Sequence, residues 1–274
     1  MKNKEICPLC SLNLTFLVRI NTKTRILVCQ NCSNAITLPA PADISYDDHA
    51  FYKLVAQDEK RWRSYSTQIA MFIQRNYAKT GRLLDVGCSH GLLLEEASRL
   101  GFVVEGFEPS EGAVKYCNQK GLNVQRGYLA KGIYPPNTFD VVVMSHVLEH
   151  LLKPEELLKI AHSILTQDGV LCLSQTNYQG TLPVLLGRHW PAWVVQQHYY
   201  HFSQTGIKWL LQKAGFEVVA IELIPLGYSL YFSLGSPSAI LSTAINTFQY
   251  LISRYRIGFP FYGDQMYILA RPMF

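Results

Sequence analysis

From residue 81 onward the chain alternates short apolar runs with segments whose apolar residues recur at helical spacing. The apolar runs predict strands, and the segments of helical spacing predict helices. We expect strands at 82–86, 102–107, 122–125, 139–144 and 169–175. We expect helices at 91–100, 110–120, 154–165 and 204–214. This alternation predicts an α/β fold, a mostly parallel sheet covered on both faces by helices.

Glycines and two later apolar runs complete the predicted sheet. Two closing strands are expected at 216–224 and 265–270, which brings the strand count to seven. Four glycines fall where a helix should give way to a strand, as glycines that end helices do. They are Gly101, Gly121, Gly169 and Gly215.

The rest of the chain divides around this alternating region. Residues 1–38 form a first unit with its own cysteine pattern, and residues 39–80 read as a proline-containing linker followed by helical spacing up to Tyr77. Residues 81–274 form the α/β domain, with a helical insert at about 226–263. Residues 223–253 carry no charge, and we expect the helix in this segment to pack against protein. A lid or a homodimer contact is the next alternative, and a lipid-facing surface is less favoured.

Composition narrows the class of protein. The 274 residues are 49% hydrophobic, which indicates a globular chain with a real core, and the net charge of +5 does not demand a nucleic-acid partner. No signal peptide and no apolar run long enough for a membrane span are visible. Seven cysteines in a chain of this length indicate a reducing compartment, so we expect a cytoplasmic protein.

Four cysteines have the spacing of a metal site. Cys7 and Cys10 are separated by two residues, as are Cys29 and Cys32, and 18 residues lie between the pairs. This spacing predicts a zinc ribbon whose four thiolates leave no open position, so that Zn²⁺ would be structural. Free thiols or two disulfides are the alternatives. Ribbons often hold nucleic acid, and basic residues lie between the pairs, so RNA binding is a less favoured second role.

The first predicted strand of the sheet ends in a polar turn that could hold a ligand. Asp85 closes the strand, a turn from Gly87 to Gly91 follows, and the next strand ends in Glu108. A glycine turn lets the backbone approach a ligand, and an acid at the end of the second strand can accept hydrogen bonds from ribose hydroxyls. An ordinary tight turn is the alternative. Ser145 and His146 end the fourth strand at the same predicted edge.

Three motifs resemble those of one enzyme family. Leu84-Asp-Val-Gly-Cys-Ser-His-Gly91, Val104-Glu-Gly-Phe-Glu-Pro-Ser110 and Phe139-Asp-Val-Val-Val-Met-Ser-His-Val-Leu-Glu-His150 are similar to segments of class I S-adenosylmethionine-dependent methyltransferases. The stretch from His201 to Phe216 resembles the subgroup that includes ubiquinone-type O-methyltransferases. The resemblance covers about residues 65–225 and implies a Rossmann-like fold with S-adenosylmethionine as cofactor.

The resemblance also implies roles for individual residues. The backbone of Gly87, Cys88 and Gly91 would pass close to the methionine and ribose portions of the cofactor. Asp85 would hold the turn and the methionine amine, directly or through water. Glu108 would bind the ribose hydroxyls.

Further positions complete the implied site and depart from the family pattern. Ser145 and His146 would lie beside the sulfonium. Ser89 replaces the second glycine of the first motif, and it is small enough to keep the turn. Many relatives carry an acid after the third strand, where this chain has Tyr128, which could stack beside the adenine.

The implied reaction displaces an activated methyl group, so the protein mainly aligns the nucleophile. An oxygen nucleophile often also needs a base. The candidates are His146, His150, His198 and His201, of which the last two lie in an aromatic stretch. This stretch could be core or could line the acceptor pocket with Trp190, Trp193, Tyr199 and Tyr200.

The resemblance therefore implies a methyltransferase, and we expect it to act on the oxygen of a small molecule or a glycan-type metabolite. One alternative is an RNA methyltransferase that uses the ribbon to hold its substrate. The other is a module that binds the cofactor without turnover. Cys88, Cys117 and Cys172 have no metal spacing, and we expect their side chains to be small core residues and not ligands or nucleophiles.

Overall fold

A computed structural model describes residues 5–42, 55, 57–224 and 263–274, and these fall into two compact units. We call the first the four-cysteine unit; its described residues are 5–42, 175–210, 222–224 and 263–266. The second, the α/β unit, consists of residues 55, 57–174, 211–221 and 267–274. Each unit is considered by itself below. Except for residue 263, the predicted insert lies outside the described residues.

The regular elements, in chain order, follow the predicted alternation. The strands are β1 (Leu14–Arg19), β2 (Arg25–Cys29), β3 (Ala35–Leu38), β4 (Arg82–Val86), β5 (Val103–Glu108), β6 (Val124–Arg126), β7 (Phe139–Ser145), β8 (Leu165–Thr176), β9 (Tyr200–His201), β10 (Phe216–Ile224) and β11 (Gln265–Pro272). The α-helices are α1 (Glu59–Asn76), α2 (Leu92–Arg99), α3 (Glu111–Gln119), α4 (Pro154–Ile164), α5 (Thr181–Leu186) and α6 (Gln204–Lys213).

Seven strands form one sheet in the order β10-β11-β8-β7-β4-β5-β6. Strand β4 is parallel to β5 and β7, β5 is parallel to β6, and β7 is parallel to β8. The central strands contain continuous apolar runs because helices cover both faces of such a sheet. Leu83 and Leu84 of β4 and Val141 to Val143 of β7 are fully buried. The predicted α/β fold with a seven-stranded, mostly parallel sheet is confirmed.

One predicted helix end is wrong. Helix α4 ends at Ile164 and strand β8 begins at the next residue, so Gly169 lies inside the strand. A Cβ at this position would lie 3.0 Å from the carbonyl oxygen of Thr166 and 3.1 Å from that of Asp140. Close backbone approach, and not a helix end, therefore explains this glycine.

A four-stranded antiparallel sheet organises the four-cysteine unit, in the order β1-β2-β3-β9. Its fourth strand comes from far along the chain, since Ala35 is paired with His201 and Ile36 with Tyr200. The Thr37 hydroxyl and the His201 Nε2, 2.9 Å apart, form a buried hydrogen bond beside this pair. The N-terminal strands therefore share one sheet with residues near position 200.

The core of this unit also combines distant segments. Ile26 and Ala35 pack in one apolar cluster with Tyr178, Trp190 and Trp193. Both tryptophans are buried, and Tyr200 is fully buried. These aromatic residues thus pack in the core of the unit, and their role in lining an acceptor pocket stays a prediction. Tyr199 is half-buried.

Helices in the described part of the chain are too short or too polar to cross a membrane.

Candidate cofactor and metal sites

The carboxyl ends of β4, β5 and β7 meet at one edge of the sheet. Val86 is in register with Phe107 of β5 and with Met144 of β7. The residues that follow these positions, Gly87, Glu108 and Ser145, therefore lie at the same edge. Ligands of open α/β sheets bind at such edges.

The turn after β4 uses left-handed backbone at three positions. The φ angles are 80° at Gly87, 50° at Ser89 and 71° at Gly91. A Cβ at Gly91 would lie 2.5 Å from Leu122 Cδ1, so this side chain would have to shift, and the left-handed φ is the main reason for glycine here. Ser89, which departs from the family pattern, keeps the left-handed conformation that glycine adopts more easily.

Glu108 holds this turn in place. Its side chain is buried, one carboxylate oxygen accepts a hydrogen bond from the Ser89 N–H, and the other accepts from the Ser110 N–H, both at 2.9 Å. The N–H groups of Gly87 and Cys88 both donate to the carbonyl of Phe107, at 2.8 and 3.1 Å. The start of the turn is thus fixed to the end of β5.

Asp85 is a buried carboxyl group beneath the turn. It is 3% exposed, and its Oδ1 has no hydrogen-bond partner among the described residues. Burial, reinforced by the charge of Glu108, raises the pKa of Asp85 to about 7. A cationic ligand group near this oxygen would satisfy it and would favour its ionised form.

His146 stands at the end of β7 in a left-handed conformation, with a φ of 54°. Its Nδ1 lies 2.9 Å from Oε1 of Glu149, which is 1% exposed. Its Nε2 lies 3.0 Å from the hydroxyl of Tyr65. The Tyr65 hydroxyl also bonds to Oγ of Ser174 and lies 3.5 Å from Oγ of Ser145. A positive φ at a bulky residue is strained, and such strain concentrates at functional sites.

Sequence reasoning missed Tyr65 and Glu149 as members of this cluster. Tyr65 lies on α1, and its position in a run of helical spacing suggested a purely apolar role. The available signal was a tyrosine hydroxyl on a face that buries Ile69, Phe72 and Ile73. A buried hydroxyl needs a partner, so it points to a polar cluster beneath the helix.

The other predicted site residues are distributed over both units. In the α/β unit, Cys88 is buried, Tyr128 is 63% exposed, and His150 is half-buried at the end of a short 3₁₀-helix. In the four-cysteine unit, His198 and His201 are both buried. His201 is the residue that bonds to Thr37. The structure thus brings Asp85, Gly87, Cys88, Gly91, Glu108, Ser145 and His146 to one sheet edge.

The four N-terminal cysteines form one cluster. Their sulfur atoms all lie within 4.8 Å of one another, with Cys7 and Cys32 3.7 Å apart and Cys10 and Cys29 3.3 Å apart. None of the cysteines forms a disulfide. Hydrogen bonding from Cys7 lowers the pKa of Cys32 to about 5, which favours a thiolate there. Four sulfur ligands at this spacing suit a tetrahedral site.

The two cysteine pairs adopt matching turns. The N–H of Ser11 donates to the carbonyl of Cys7, and the N–H of Ser33 donates to the carbonyl of Cys29, both at 2.8 Å. Each serine follows the second cysteine of its pair and is left-handed, with φ of 61° at Ser11 and 55° at Ser33. Both pairs therefore present their sulfur atoms from the same kind of turn, as the two halves of a zinc ribbon do.

Curated relatives match a limited part of the chain. A ubiquinone biosynthesis O-methyltransferase from Caulobacter sp. strain K31 is 36% identical over 108 residues, which are 35% of this chain and 41% of that protein. A mitochondrial ubiquinone biosynthesis O-methyltransferase from Schizosaccharomyces pombe is 31% identical over 130 residues, covering 43% of this chain and 47% of that protein. The chain thus spans less than half the length of these relatives.

A solved structure shares the fold. The crystal structure of an S-adenosylmethionine-dependent methyltransferase from Archaeoglobus fulgidus aligns with a TM-score of 0.58 at 21% identity. The alignment covers 80% of this chain and 99% of that one. The family model described as "Methyltransferase domain" matches residues 58–221. This match covers more than half of the chain, and the chain therefore belongs to the methyltransferase domain family.

Proposed function

We propose that this protein is an S-adenosylmethionine-dependent methyltransferase that methylates an oxygen atom of a small molecule. The observation that carries the proposal is the sheet edge where the glycine turn, Asp85 and Glu108 converge. Membership of the methyltransferase domain family supports it, as does similarity to relatives named as ubiquinone O-methyltransferases.

The residues at this edge fit the cofactor. The Asp85 oxygen that has no described partner suits the ammonium group of the methionine moiety. The Glu108 carboxylate oxygens accept from the N–H groups of Ser89 and Ser110, and because a carboxylate oxygen has two lone pairs, each can also accept from a ribose hydroxyl. Gly87 and Gly91 adopt left-handed backbone without strain, which keeps the turn tight at the end of β4. S-adenosylmethionine, when bound, supplies an electrophilic methyl group and its own leaving group.

The protein then has to align the acceptor and remove its proton. Among the four candidate bases, we favour His146, because it ends β7 at the same edge as Gly87 and Glu108 and its ring is fixed by Glu149 at 2.9 Å. His201 is engaged by Thr37 within the four-cysteine unit. His150 and His198 stay candidates, as does a role of Ser145 and Cys88 beside the cofactor and of Tyr128 beside the adenine.

For the acceptor we favour a small molecule with a phenolic or sugar hydroxyl over RNA. The relatives that match are named for the synthesis of ubiquinone, a small molecule. On the cysteine-bearing strands, Arg25 forms an ion pair with Glu5, which reduces the positive charge available to a phosphate backbone. RNA methylation is the second candidate. A module that binds the cofactor but transfers no methyl group is the third, and it would show no turnover with any acceptor.

We also propose that Cys7, Cys10, Cys29 and Cys32 hold one structural Zn²⁺. The paired turns and the cluster of sulfur atoms support this assignment. Four thiolates complete a tetrahedron, so this site would have no position for water or substrate. The cytoplasmic location and a homodimer through the insert stay predictions.

Calorimetry with S-adenosylmethionine tests the cofactor assignment. We expect binding by the natural chain and a loss of about 10- to 100-fold in affinity in Glu108→Ala, since hydrogen bonds to a charged group are lost. The matched control is Glu111→Ala, an exposed acid that pairs with Arg126 on the surface. Equal affinity in Glu108→Ala and the control would overturn the assignment.

Transfer of a labelled methyl group tests the acceptor class. Catechol, a set of free sugars and RNA would be offered under the same conditions. Label in catechol or a sugar supports the proposal, and label in RNA favours the second candidate. Cofactor binding with no transfer to any acceptor class supports a module that binds the cofactor without turnover.

A further inference from the structure

Both ring nitrogens of His146 are engaged by side chains of the α/β unit. Nδ1 lies 2.9 Å from the Glu149 carboxylate, and Nε2 lies 3.0 Å from the Tyr65 hydroxyl. An acceptor hydroxyl that gives its proton to this histidine therefore meets a nitrogen that already has a protein partner. The group that stands at the basic nitrogen is a phenol.

The chemistry of the three groups sets the direction of the hydrogen bonds. A carboxylate has only acceptor atoms, so the Glu149 side chain requires a proton on Nδ1 of His146. In a neutral imidazole the other nitrogen, Nε2, is then an acceptor, and the Tyr65 hydroxyl donates to it. Burial raises the pKa of Tyr65 well above its usual range, which keeps its hydroxyl protonated.

The Tyr65 oxygen is also linked to groups at the end of the sheet. It bonds to Oγ of Ser174, a fully buried residue in register with Ser145, whose own Oγ is 3.5 Å from the phenol. Ser145 is half-buried and ends β7 at the ligand edge. The phenol thus connects Ser145 at the ligand edge with the His146–Glu149 pair.

We infer that Tyr65 is a catalytic proton relay between the acceptor and His146, and that Glu149 is a positioning residue that fixes the reactive tautomer. This inference rests on the proposed O-methylation. The acceptor oxygen attacks the methyl carbon, the sulfur–methyl bond breaks, and its electron pair stays on sulfur. The acceptor proton passes to the Tyr65 oxygen while the Tyr65 proton passes to Nε2 of His146. The products are the methyl ether, neutral thioether cofactor and an imidazolium beside the Glu149 carboxylate.

The first measurement needs no acceptor and no cofactor. Nitrogen-15 NMR of the full chain, with His146 assigned by comparison with His146→Gln, reports which ring nitrogen carries the proton. We expect the Nδ1–H tautomer in the natural chain and in Tyr65→Phe, and a change of tautomer in Glu149→Gln. An Nε2–H tautomer in the natural chain would overturn the inference, whether or not any acceptor is found.

The second measurement uses catechol and 4-nitrocatechol as acceptor probes. We expect Tyr65→Phe and His146→Gln each to lower kcat on catechol by about 100-fold, the usual scale of acid–base catalysis, with KM changed by less than about threefold. The double variant should lose little more than either single variant, because both act in one relay. The losses in kcat should be smaller on 4-nitrocatechol, because its more acidic hydroxyl depends less on a general base for deprotonation.

Tyr77→Phe is the matched control. Tyr77 is buried at the end of the same helix, and its hydroxyl has no hydrogen-bond partner among the described residues. We expect the control to keep kcat on both probes. Full activity in Tyr65→Phe, or losses that multiply in the double variant, would overturn the relay and leave the proposed methyltransferase function intact. Absence of transfer by the natural chain would instead count against the proposed function, and the tautomer measurement would still decide the relay.

Discussion

The two units contain polar clusters of opposite character. In the four-cysteine unit, sulfur atoms 3.3 and 3.7 Å apart face one another and form a closed set of four. In the α/β unit, Glu108 is bonded to the turn, yet a buried oxygen of Asp85 has no described partner. A closed set suits an ion that stays bound, whereas an unsatisfied carboxyl suits a ligand that arrives and leaves. Both clusters are largely buried, so burial does not distinguish a structural ion site from a ligand site. The difference is whether every polar atom of the cluster already has a partner.

The largest expected effect is on the closed cluster. We expect about one equivalent of zinc per chain, and Cys10→Ser should abolish it together with the ordered structure of the four-cysteine unit, since structural zinc contributes on the order of 10 kcal/mol to folding. Metal analysis and hydrogen exchange at residues 25–38 measure this. Cys172→Ala, which removes a buried thiol far from the pattern, should keep the metal. Full protection of residues 25–38 from hydrogen exchange in metal-free protein would contradict the role of the four-cysteine cluster as a structural metal site.

The next effect concerns Asp85 and pH. Its pKa of about 7 in the folded chain lies above the value of an unfolded aspartate, so the folded state binds the extra proton. The free energy of unfolding should therefore fall as pH rises from 4 to 7, by an amount on the order of 4 kcal/mol from this group. Asp85→Asn should not show this fall in the free energy of unfolding between pH 4 and 7. Urea unfolding at several pH values measures it. Added S-adenosylmethionine should reduce the slope in the natural chain, and an identical slope in the variant would count against the buried-acid description.

A pair of glycines sharpens the description of the turn. Gly91 and Gly121 are both left-handed, but a Cβ at Gly91 would lie 2.5 Å from Leu122 Cδ1, whereas a Cβ at Gly121 meets nothing within 4 Å. We expect Gly91→Ala to destabilise the protein by about 3 kcal/mol and Gly121→Ala by about 1 kcal/mol. Thermal unfolding gives both numbers. Equal losses would mean that packing at the turn is less restrictive than these distances indicate.

The smallest effect tests the distant strand of the four-cysteine unit. Thr37→Val removes the hydroxyl that bonds to His201 and should lower the free energy of unfolding by about 1 to 2 kcal/mol, because the partner is left buried. Thr15→Val is the control. It removes an exposed hydroxyl 3.2 Å from the Val28 carbonyl and should lower the free energy of unfolding by less than about 0.5 kcal/mol. If the two variants lose the same free energy, the Thr37 bond is not a significant link between β3 and β9.

Local sequence patterns predicted the parts of each site that are close in the chain. The glycine turn after Asp85 and the two cysteine pairs are short motifs whose geometry follows from a few neighbouring residues. Tyr65 could not be placed this way, because its hydrogen bond to His146 joins residues 81 positions apart. The Gly169 prediction failed for a similar reason, since β8 extends back to Leu165 through pairing with Phe139 of β7. Pairing between strands overrides a local glycine signal.

The bond between Thr37 and His201 spans 164 positions, and this has a consequence for biosynthesis. Synthesis from the N-terminus exposes the cysteine pairs well before the strand that completes their sheet, which consists of residues 200 and 201. A metal ion bound as soon as Cys32 emerges would hold β1 to β3 together until residues 200 and 201 are synthesised. A segment made before β9 would then finish folding only after β9 is made, because contacts so distant in sequence form slowly.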